Sequence, residues 1–479
     1  MRTKNIQDTQ LDFLVSAMSH GNFQTTDQIL GWMKSQNEEV VSNIKQIPIS
    51  ELRGWSYRDD RIRHSSGKFF SIDGIHIRTN YRNTPEWDQP IINQPEIGFL
   101  GFIVKKFNGV LHFLLQAKIE PGNLNIVQLS PTLQATRSNY TRVHGGKAPT
   151  YLEYFNGEKE VLILVDQLQS EQGARFLHKR NRNIIVEVGE DEELEVKEGY
   201  IWASLGQIKE LLRYPNVVNM DSRTVISCIN FGSYSEHSLR LLDAVKRMNG
   251  IHSSKPDSFL YSVLSGDNHL NELQDIIQWI TSLKFKYELD VTPVGISEMK
   301  NWIYDGDTIH HESGKYFDVM GCRVEIGNRE VVSWDQPMVR SAQEGLMGFI
   351  VKKINGIYHF LVQAKLESGN FDIVEMAPTV QCLTGNYRKG KNEYTIPYLE
   401  QILNAPKDRI WYSSYQSEEG GRFFQEQNRN IIVEVGEEFP IEIEENYCWL
   451  TLNQMLSFVT YNNYLNIAAR SLLSAISFY

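Results

Sequence analysis

The sequence predicts an α+β protein in which one unit, a mixed curved sheet flanked by helices, is built twice in tandem. Three observations predict it. Residues 98–123 (GFLGFIVKKFNGVLHFLLQAKIEPGN) and 345–370 (GLMGFIVKKINGIYHFLVQAKLESGN) are identical at 18 of 26 positions at an offset of 247. The same offset aligns 175–189 with 422–436 at 11 of 15 positions. It also aligns Trp32, Trp55, Trp87 and Trp202 with Trp279, Trp302, Trp334 and Trp449. A repeat this long is a duplicated domain and not a solenoid. Within each copy, helical periodicity at the start gives way to strand-like runs separated by Asn-Gly and Asp-Gly turn signals.

The elements follow in order. Apolar positions Leu11, Leu14, Ala17, Met18, Ile29, Leu30, Met33, Val40, Val41 and Ile44 predict two helices across 10–45. Leu260, Val263, Leu264, Leu273, Ile276, Ile277 and Ile280 predict two more at 259–286. Strands at 68–72 and 75–78 flank Asp73-Gly74 and read as a hairpin; strands at 99–106 and 110–118 flank Asn108-Gly109 and read as another. The last of these turns polar toward its end, with Gln116 and Lys118, as a strand does when it runs from a core into a cleft. A helix at 170–180, a strand at 183–188 and a helix at 203–213 complete the copy. The copies span 1–232 and 257–479, joined by a polar, turn-rich linker at 233–256, and are expected to pack about a pseudo-two-fold axis.

Composition narrows the class. The chain has 479 residues, 41% hydrophobic and 22% charged, as in ordinary globular proteins. A net charge of −11 opposes general nucleic-acid binding, which needs a basic face, but leaves room for a small anion held by a few placed cations. Four scattered Cys offer no zinc or redox spacing and suit a reducing compartment. The start MRTKNIQDTQ has no apolar signal core and no stretch reaches membrane-span length, so a cytoplasmic location is expected. Neither GxGxxG nor GxxxxGK[ST] follows a strand, and GxSxG and HExxH are missing, so neither a redox cofactor nor a catalytic metal is indicated.

Polar positions that recur between the copies are the site candidates, because packing alone tolerates swaps such as Val110/Ile357. They include His64/His311 and Lys68/Lys315 in HSSGKFF and HESGKYF, and Trp87/Trp334 and Gln89/Gln336 in the two WDQP turns. Gln116/Gln363, Lys118/Lys365, Thr132/Thr379, Gln134/Gln381, Asn139/Asn386 and Arg175/Arg422 recur as well. The loops after Thr132 and Thr379 crowd cations and an aromatic together. Arg142 and Lys147 in one copy and Arg388 in the other suit a diphosphate, and Tyr140 and Tyr387 suit stacking on a base. A solvated surface loop is the plain alternative. For the Trp pair and for His112/His359, core packing is the favoured reading.

The strings WDQPII, QPEIGFLGFIVKKFNGVLHFLLQAKIEPGN, VQLSPTLQATRSNYTRVHGGK, YLEYF and RNRNIIVEVGE, with their second-copy counterparts, resemble the NDP-hexose 2,3-dehydratase family over nearly the whole chain. The resemblance implies two Nudix-hydrolase-like modules per chain and a homodimer. It also implies elimination of water across C2–C3 of a dTDP-4-keto-6-deoxyhexose to a 3,4-diketo-2,6-dideoxy sugar, which is passed to a 3-ketoreductase. No cofactor is expected in that step. Neither copy carries the REUxEExGU helix of true Nudix hydrolases, which disfavours metal-dependent pyrophosphate cleavage. The elimination needs a base for the C3 proton, a donor near the C4 oxygen and an acid for the leaving hydroxyl. His64 or His144 as base and Tyr140 or Lys68 as donor are the candidates in copy one, and His311 and Tyr387 in copy two; His144 faces Lys391 at the repeat offset. The competing functions are a non-catalytic nucleotide-sugar-binding protein and a nucleotide pyrophosphatase.

Overall fold

The computed structural model describes residues 5–21, 23–82, 84–136, 148–248, 257–326, 333–383 and 395–478. The first copy carries helices α1 (Ile6–Ala17) and α2 (Thr26–Glu38), then strands β1 (Ser42–Ile47), β2 (Trp55–Arg58), β3 (Arg61–His64), β4 (Ser71–Thr79), β5 (Glu86–Asn93), β6 (Gly98–Phe107), β7 (Val110–Ile119), β8 (Val127–Ser130), β9 (Leu133–Ala135), β10 (Leu162–Ser170), β11 (Arg180–Glu187) and β12 (Tyr200–Ser204), and helices α3 (Leu205–Leu211) and α4 (Met220–Ser227). Helix α5 (Glu236–Met248) occupies much of the connecting stretch that sequence alone reads as turn-rich. The second copy repeats the order: α6 (Asp257–Leu264), α7 (Leu273–Lys286), β13 (Leu289–Val294), β14 (Trp302–Tyr304), β15 (Thr308–His311), β16 (Phe317–Ile326), β17 (Ser333–Ser341), β18 (Gly345–Ile354), β19 (Ile357–Lys365), β20 (Glu375–Pro378), β21 (Val380–Leu383), α8 (Leu399–Leu403), β22 (Ile410–Ser417), β23 (Gln427–Glu434), β24 (Tyr447–Thr451), α9 (Leu452–Val459) and α10 (Ile467–Ser474).

Each copy contributes a seven-stranded and most of a five-stranded sheet. In the larger sheet the strand order is β10-β11-β6-β7-β12, with β8 on β7 and β9 on β6; β6 and β11 run parallel and the rest antiparallel. The Asn108-Gly109 turn joins β6 to β7 as the sequence predicts, with both residues at positive φ. The α+β class and the repeat are therefore as read.

The smaller sheets exchange strands. β1 of copy one pairs with β16 of copy two, Ser42 opposite Ile326 through Ile47 opposite Gly321. β13 of copy two pairs with β4 of copy one, Leu289 opposite Thr79 through Val294 opposite Gly74. This exchange explains two departures from the sequence reading. Residues 42–47 form a strand and not the tail of a helix, because their hydrogen bonds lie in the other copy. Asp73-Gly74 is not a turn: it lies inside the continuous strand β4. Gly74 lets the incoming strand close in, since a Cβ there would sit 2.8 Å from Val294 O. The Asp73 carboxylate accepts from Ser71, Asn93 and Arg61.

The third departure is at 170–180, where no helix forms. Residues 171–179 cross the molecule as a loop whose backbone bonds go elsewhere: Ile92 N–H to Arg175 O (2.8 Å), Leu177 N–H to Ile92 O (2.9 Å) and Gly369 N–H to Gly173 O (2.7 Å). Its counterpart at 418–426 does the same, with Gly122 N–H to Gly420 O at 2.7 Å.

One apolar core runs through both copies, joining Phe13, Phe102 and Phe113 to Phe349, Phe360 and Leu472. Two fully buried arginines reach across the boundary between the copies. Arg223 of α4 bonds Ser471 Oγ (2.9 Å) and Ser417 O; Arg470 of α10 bonds Thr224 and Ser170 O. Every one of these partners is displaced by 247 from its mate. Guanidinium groups this deep are tolerated because carbonyl and hydroxyl acceptors meet their N–H groups.

Candidate active site

β7 ends where its polar face begins. Lys118 Nζ donates to Gln134 O of β9 at 3.0 Å. The Gln134 amide then donates to Glu120 Oε1 (2.9 Å) and accepts from Asn219 Nδ2 (3.0 Å). Asn219 is the N-cap of α4, its oxygen taking the Ser222 N–H at 2.9 Å. One side chain thus starts the helix and orients Gln134, and it sets Asp221 in the first helical turn.

Copy two repeats the chain atom for atom: Lys365 to Gln381 O (3.3 Å), Gln381 to Glu367 (2.8 Å) and Asn466 to Gln381 (2.8 Å), with Asn466 capping α10. At the place of Asp221, however, it has Ala468.

The facing wall of the copy-one cleft comes from copy two. Arg422 lies over the Phe70 ring at 4.2 Å and donates through Nε and Nη2 to Gln94 Oε1 (3.2 and 3.0 Å). Glu419 precedes it in the same loop. Lys179, bonded to Glu96 O, and Glu171, accepting from Asn181, close the base. The second cleft is built in reverse: Arg175 of copy one lies over Phe317 at 3.9 Å. There Gln94 is replaced by the shorter Ser341, and Arg175 Nε is buried with no hydrogen-bond partner among the described residues. Gln172 stands for Glu419, and Glu426 for Lys179. Copy one also reaches into the second cleft through Arg82, whose Nη2 meets Gln363 Oε1 at 2.9 Å.

Crowding of carboxylates in the copy-one cleft shifts their protonation. Burial, then the charges of Glu419, Glu120 and Glu171, raise Asp221 well above the usual carboxylate range. Burial pushes Glu419 up to about 7; Arg422 and Lys179 hold it down, while Glu171 and Glu120 push it further up. Lys179 is lowered by burial. Glu120 Oε2 is buried with no hydrogen-bond partner among the described residues. An acid raised by burial beside a carboxyl oxygen with a spare lone pair is an arrangement that can give one proton and take another.

The other candidates are placed as follows. Thr132 and Thr379 are structural links, each taking a β-strand N–H (Ile103 and Ile350, both 2.9 Å) and donating to the neighbouring strand. Trp87 and Trp334 donate to Gln89 and Gln336 at 2.9 Å, and those amides bond the backbone of the two arginine loops. His64 bonds Ser66 (2.8 Å) and meets Trp55 and Phe69 edge-on; His311 does so with Ser313, Trp302 and Tyr316. These histidines lie at the ends of β3 and β15, and Lys68 and Lys315 are exposed beside them. Gln116 sits on β7 opposite Tyr200 and Ser130. His112 and His359 are fully buried and bonded to Val110 O and Ile357 O, as core histidines are. Asn139, Tyr140, Arg142, His144, Lys147, Asn386, Tyr387 and Arg388 lie outside the described residues.

Sequence reasoning passed over Asp221, Lys179 and Glu419 because it sought positions kept in both copies. The usable signal was the opposite one: a charged residue in one copy facing Ala, Glu or Gln in an otherwise identical frame.

These paired clefts belong to a chain assembled from two copies of one family unit. The NDP-hexose 2,3-dehydratase family model matches residues 26–229 and 273–476, and the chain belongs to that family. It is similar to the dTDP-4-dehydro-6-deoxy-alpha-D-glucopyranose 2,3-dehydratase of Saccharopolyspora spinosa, at 40% identity over 97% of this chain and 94% of that one. It is also similar to the proteins of the same name from Amycolatopsis orientalis (37%, covering 97% and 93%) and Streptomyces violaceoruber (38%, covering 93% and 95%).

Proposed function

We propose that this chain removes water across C2 and C3 of a dTDP-4-keto-6-deoxyhexose in deoxysugar biosynthesis, and that the copy-one cleft performs the reaction. The names of the three relatives, matched over nearly their full length, support the substrate and the reaction. The observation that carries the site is Asp221, raised beside Glu120 and Glu419, where copy two has Ala468 and Gln172.

The C4 ketone acidifies the C3–H bond. A carboxylate, Glu120 or Glu419, takes that proton, and the electron pair becomes the C2=C3 bond. The C2–O bond breaks as Asp221 gives its proton to the departing hydroxyl, which leaves as water. The product enol, with its hydroxyl on C3, tautomerises to the 3,4-diketo-2,6-dideoxy sugar. Lys118 and Arg422 supply positive charge for the enolate oxygen or the diphosphate. Gln116 and Gln134 lie along the same strand ends. The roles of Tyr140 and His144, and of Arg142 and Lys147 on the diphosphate, rest on residue type and on their loop following Gln134 in the chain.

The seven-stranded sheet with its single parallel pair supports a Nudix-like reading of each copy. The duplicated units are 1–232 and 257–479, each lending the other one strand. A homodimer, a cytoplasmic location and a following 3-ketoreductase complete the proposal; no helix among the described residues is long and apolar enough to cross a membrane.

The test is Asp221→Asn assayed for loss of the 4-keto sugar and appearance of maltol, its expected breakdown product. Removing a general acid is expected to cost about 10²–10⁴-fold in kcat. Near-normal turnover would remove the reaction from this cleft. Binding without turnover by the unaltered protein would favour a sugar-binding role, and Mg²⁺-dependent nucleotide release a pyrophosphatase.

A further inference from the structure

Copy two holds Arg422 in the copy-one cleft by a clamp assembled from its WDQP string, which is not the turn the sequence suggests but part of strand β17. The Gln336 amide is buried, accepts from Trp334 Nε1 at 2.9 Å and donates to Gly421 O at 2.7 Å. The same carbonyl accepts Arg422 Nη1 at 2.8 Å. One backbone oxygen therefore serves both the clamp and the guanidinium. That shared acceptor fixes the plane of Arg422 over Phe70 and aims Nε and Nη2 at Gln94. Behind Arg422 stand Glu419, Glu120 and Asp221, whose charges act on it.

We infer that Gln336, braced by Trp334, is a positioning residue for the copy-one reaction and acts through Arg422 across the boundary between the copies. The inference rests on the copy-one cleft being the catalytic one.

The molecule contains its own matched comparison. Gln89 donates to Ala174 O at 2.9 Å and accepts from Trp87 at 2.9 Å, and Arg175 Nη1 donates to Ala174 O at 3.0 Å. The clamp geometry is the same, yet the arginine it holds faces Ala468 and Gln172 in place of Asp221 and Glu419. Loss of either clamp removes equivalent hydrogen bonds. One loss frees the arginine that acts on Glu419 beside Asp221; the other frees Arg175, whose charge acts on Glu426 and Glu418 of the second cleft.

Gln336→Met removes both bonds, and Gln336→Glu keeps the bond from Trp334 while losing the donor to Gly421. A reacting group displaced by an ångström costs up to roughly 100-fold in rate, so kcat should fall about 10- to 100-fold in both variants, with KM moving less. Glu419 is faced by Arg422 and Lys179, which lower its pKa, and by Glu171, Glu120 and Asp221. A loosened Arg422 should therefore move the acid limb of the kcat–pH profile upward. Gln89→Met should lower the melting temperature by a similar amount, cost at least ten times less in kcat than Gln336→Met, and leave the acid limb in place. In an Arg422→Lys background, Gln336→Met should add little.

Equal kcat losses for Gln336→Met and Gln89→Met, or a full further loss on top of Arg422→Lys, would overturn the inference and leave the clamp a structural brace. Asp221→Asn separates the two claims. Turnover retained in Asp221→Asn overturns the choice of cleft, and the inference with it. Turnover lost there but kept in both Gln336 variants overturns the inference alone.

Discussion

Lys209 shows what the duplication permits at a single position. Its ammonium is buried in the shared core, donates to Ser474 O at 3.0 Å and lies 5.3 Å from the Phe478 ring centre. At the repeat offset stands Leu456, so the same niche in the other copy is filled by a hydrocarbon. Burial lowers the Lys209 ammonium from 10.5 to about 7. The unfolded chain keeps that proton to higher pH, so across this window unfolding takes up a proton and stability rises with pH, by at most about 1.4 kcal/mol per pH unit. Lys209→Met is expected to flatten that rise. Urea unfolding of both proteins from pH 7 to 9 checks it; an unchanged difference between them across that range would mean that Lys209 keeps an ordinary pKa. The same contrast between copies underlies the proposed site. Lys118, Gln134 and Arg422 could be singled out in the sequence because they recur. Asp221 could not be, because copy two has Ala468 in its place and because, besides burial, the charge of Glu419, some two hundred residues away in the chain, raises it.

At the scale of elements, the β6–β7 hairpin, the strand at 180–187 and the paired opening helices were legible, because their hydrogen bonds are local or their apolar period is strong. The elements that were misread bond across the copies. Asp73-Gly74 carries a turn signal that the incoming β13 overrides, and 171–179 gives its backbone groups to β5 and to Gly369. Gly122 and Gly369 are the points where these loops lock. A Cβ on Gly122 would lie 1.7 Å from Phe423 O, and one on Gly369 1.9 Å from Phe176 O. Those are backbone oxygens and cannot swing aside as a side chain does. Gly122→Ala should cost about 3 kcal/mol, the upper range for forced overpacking, and should also depress turnover, because the loop it displaces carries Glu419 and Arg422. Gly369→Ala should cost similar stability, with a smaller loss of turnover, since the residues it displaces, Gly173 and Phe176, flank Arg175 of the second cleft. Melting curves and kcat for the pair decide this, and a melting temperature unchanged by Gly122→Ala would refute the contact.

At the scale of the molecule, the two copies behave as one folding unit. Each five-stranded sheet is completed by a strand from the other copy, Trp55 and Trp302 donate across the boundary to Asp335 O and Asp88 O, and the terminal guanidinium nitrogens of Arg223 and Arg470 find acceptors there. A half alone would expose β4 or β16 as an open edge, an aggregation template, and would strand a buried guanidinium. The exchanged strands themselves differ, SNIKQI against LDVTPV, but keep apolar residues at Ile44/Val291 and Ile47/Val294, so a half can pair with a second copy of itself. Residues 1–250 or 251–479 produced alone should therefore be aggregated or homodimeric and never a folded monomer. Co-produced, they should purify together in a one-to-one complex and recover turnover, because Arg422 and Glu419 from one fragment would again face Asp221 and Glu120 from the other. Size-exclusion chromatography with light scattering reads the first outcome and the dehydration assay the second. A cooperative, monomeric half would show that strand exchange decorates two independent domains and does not join them.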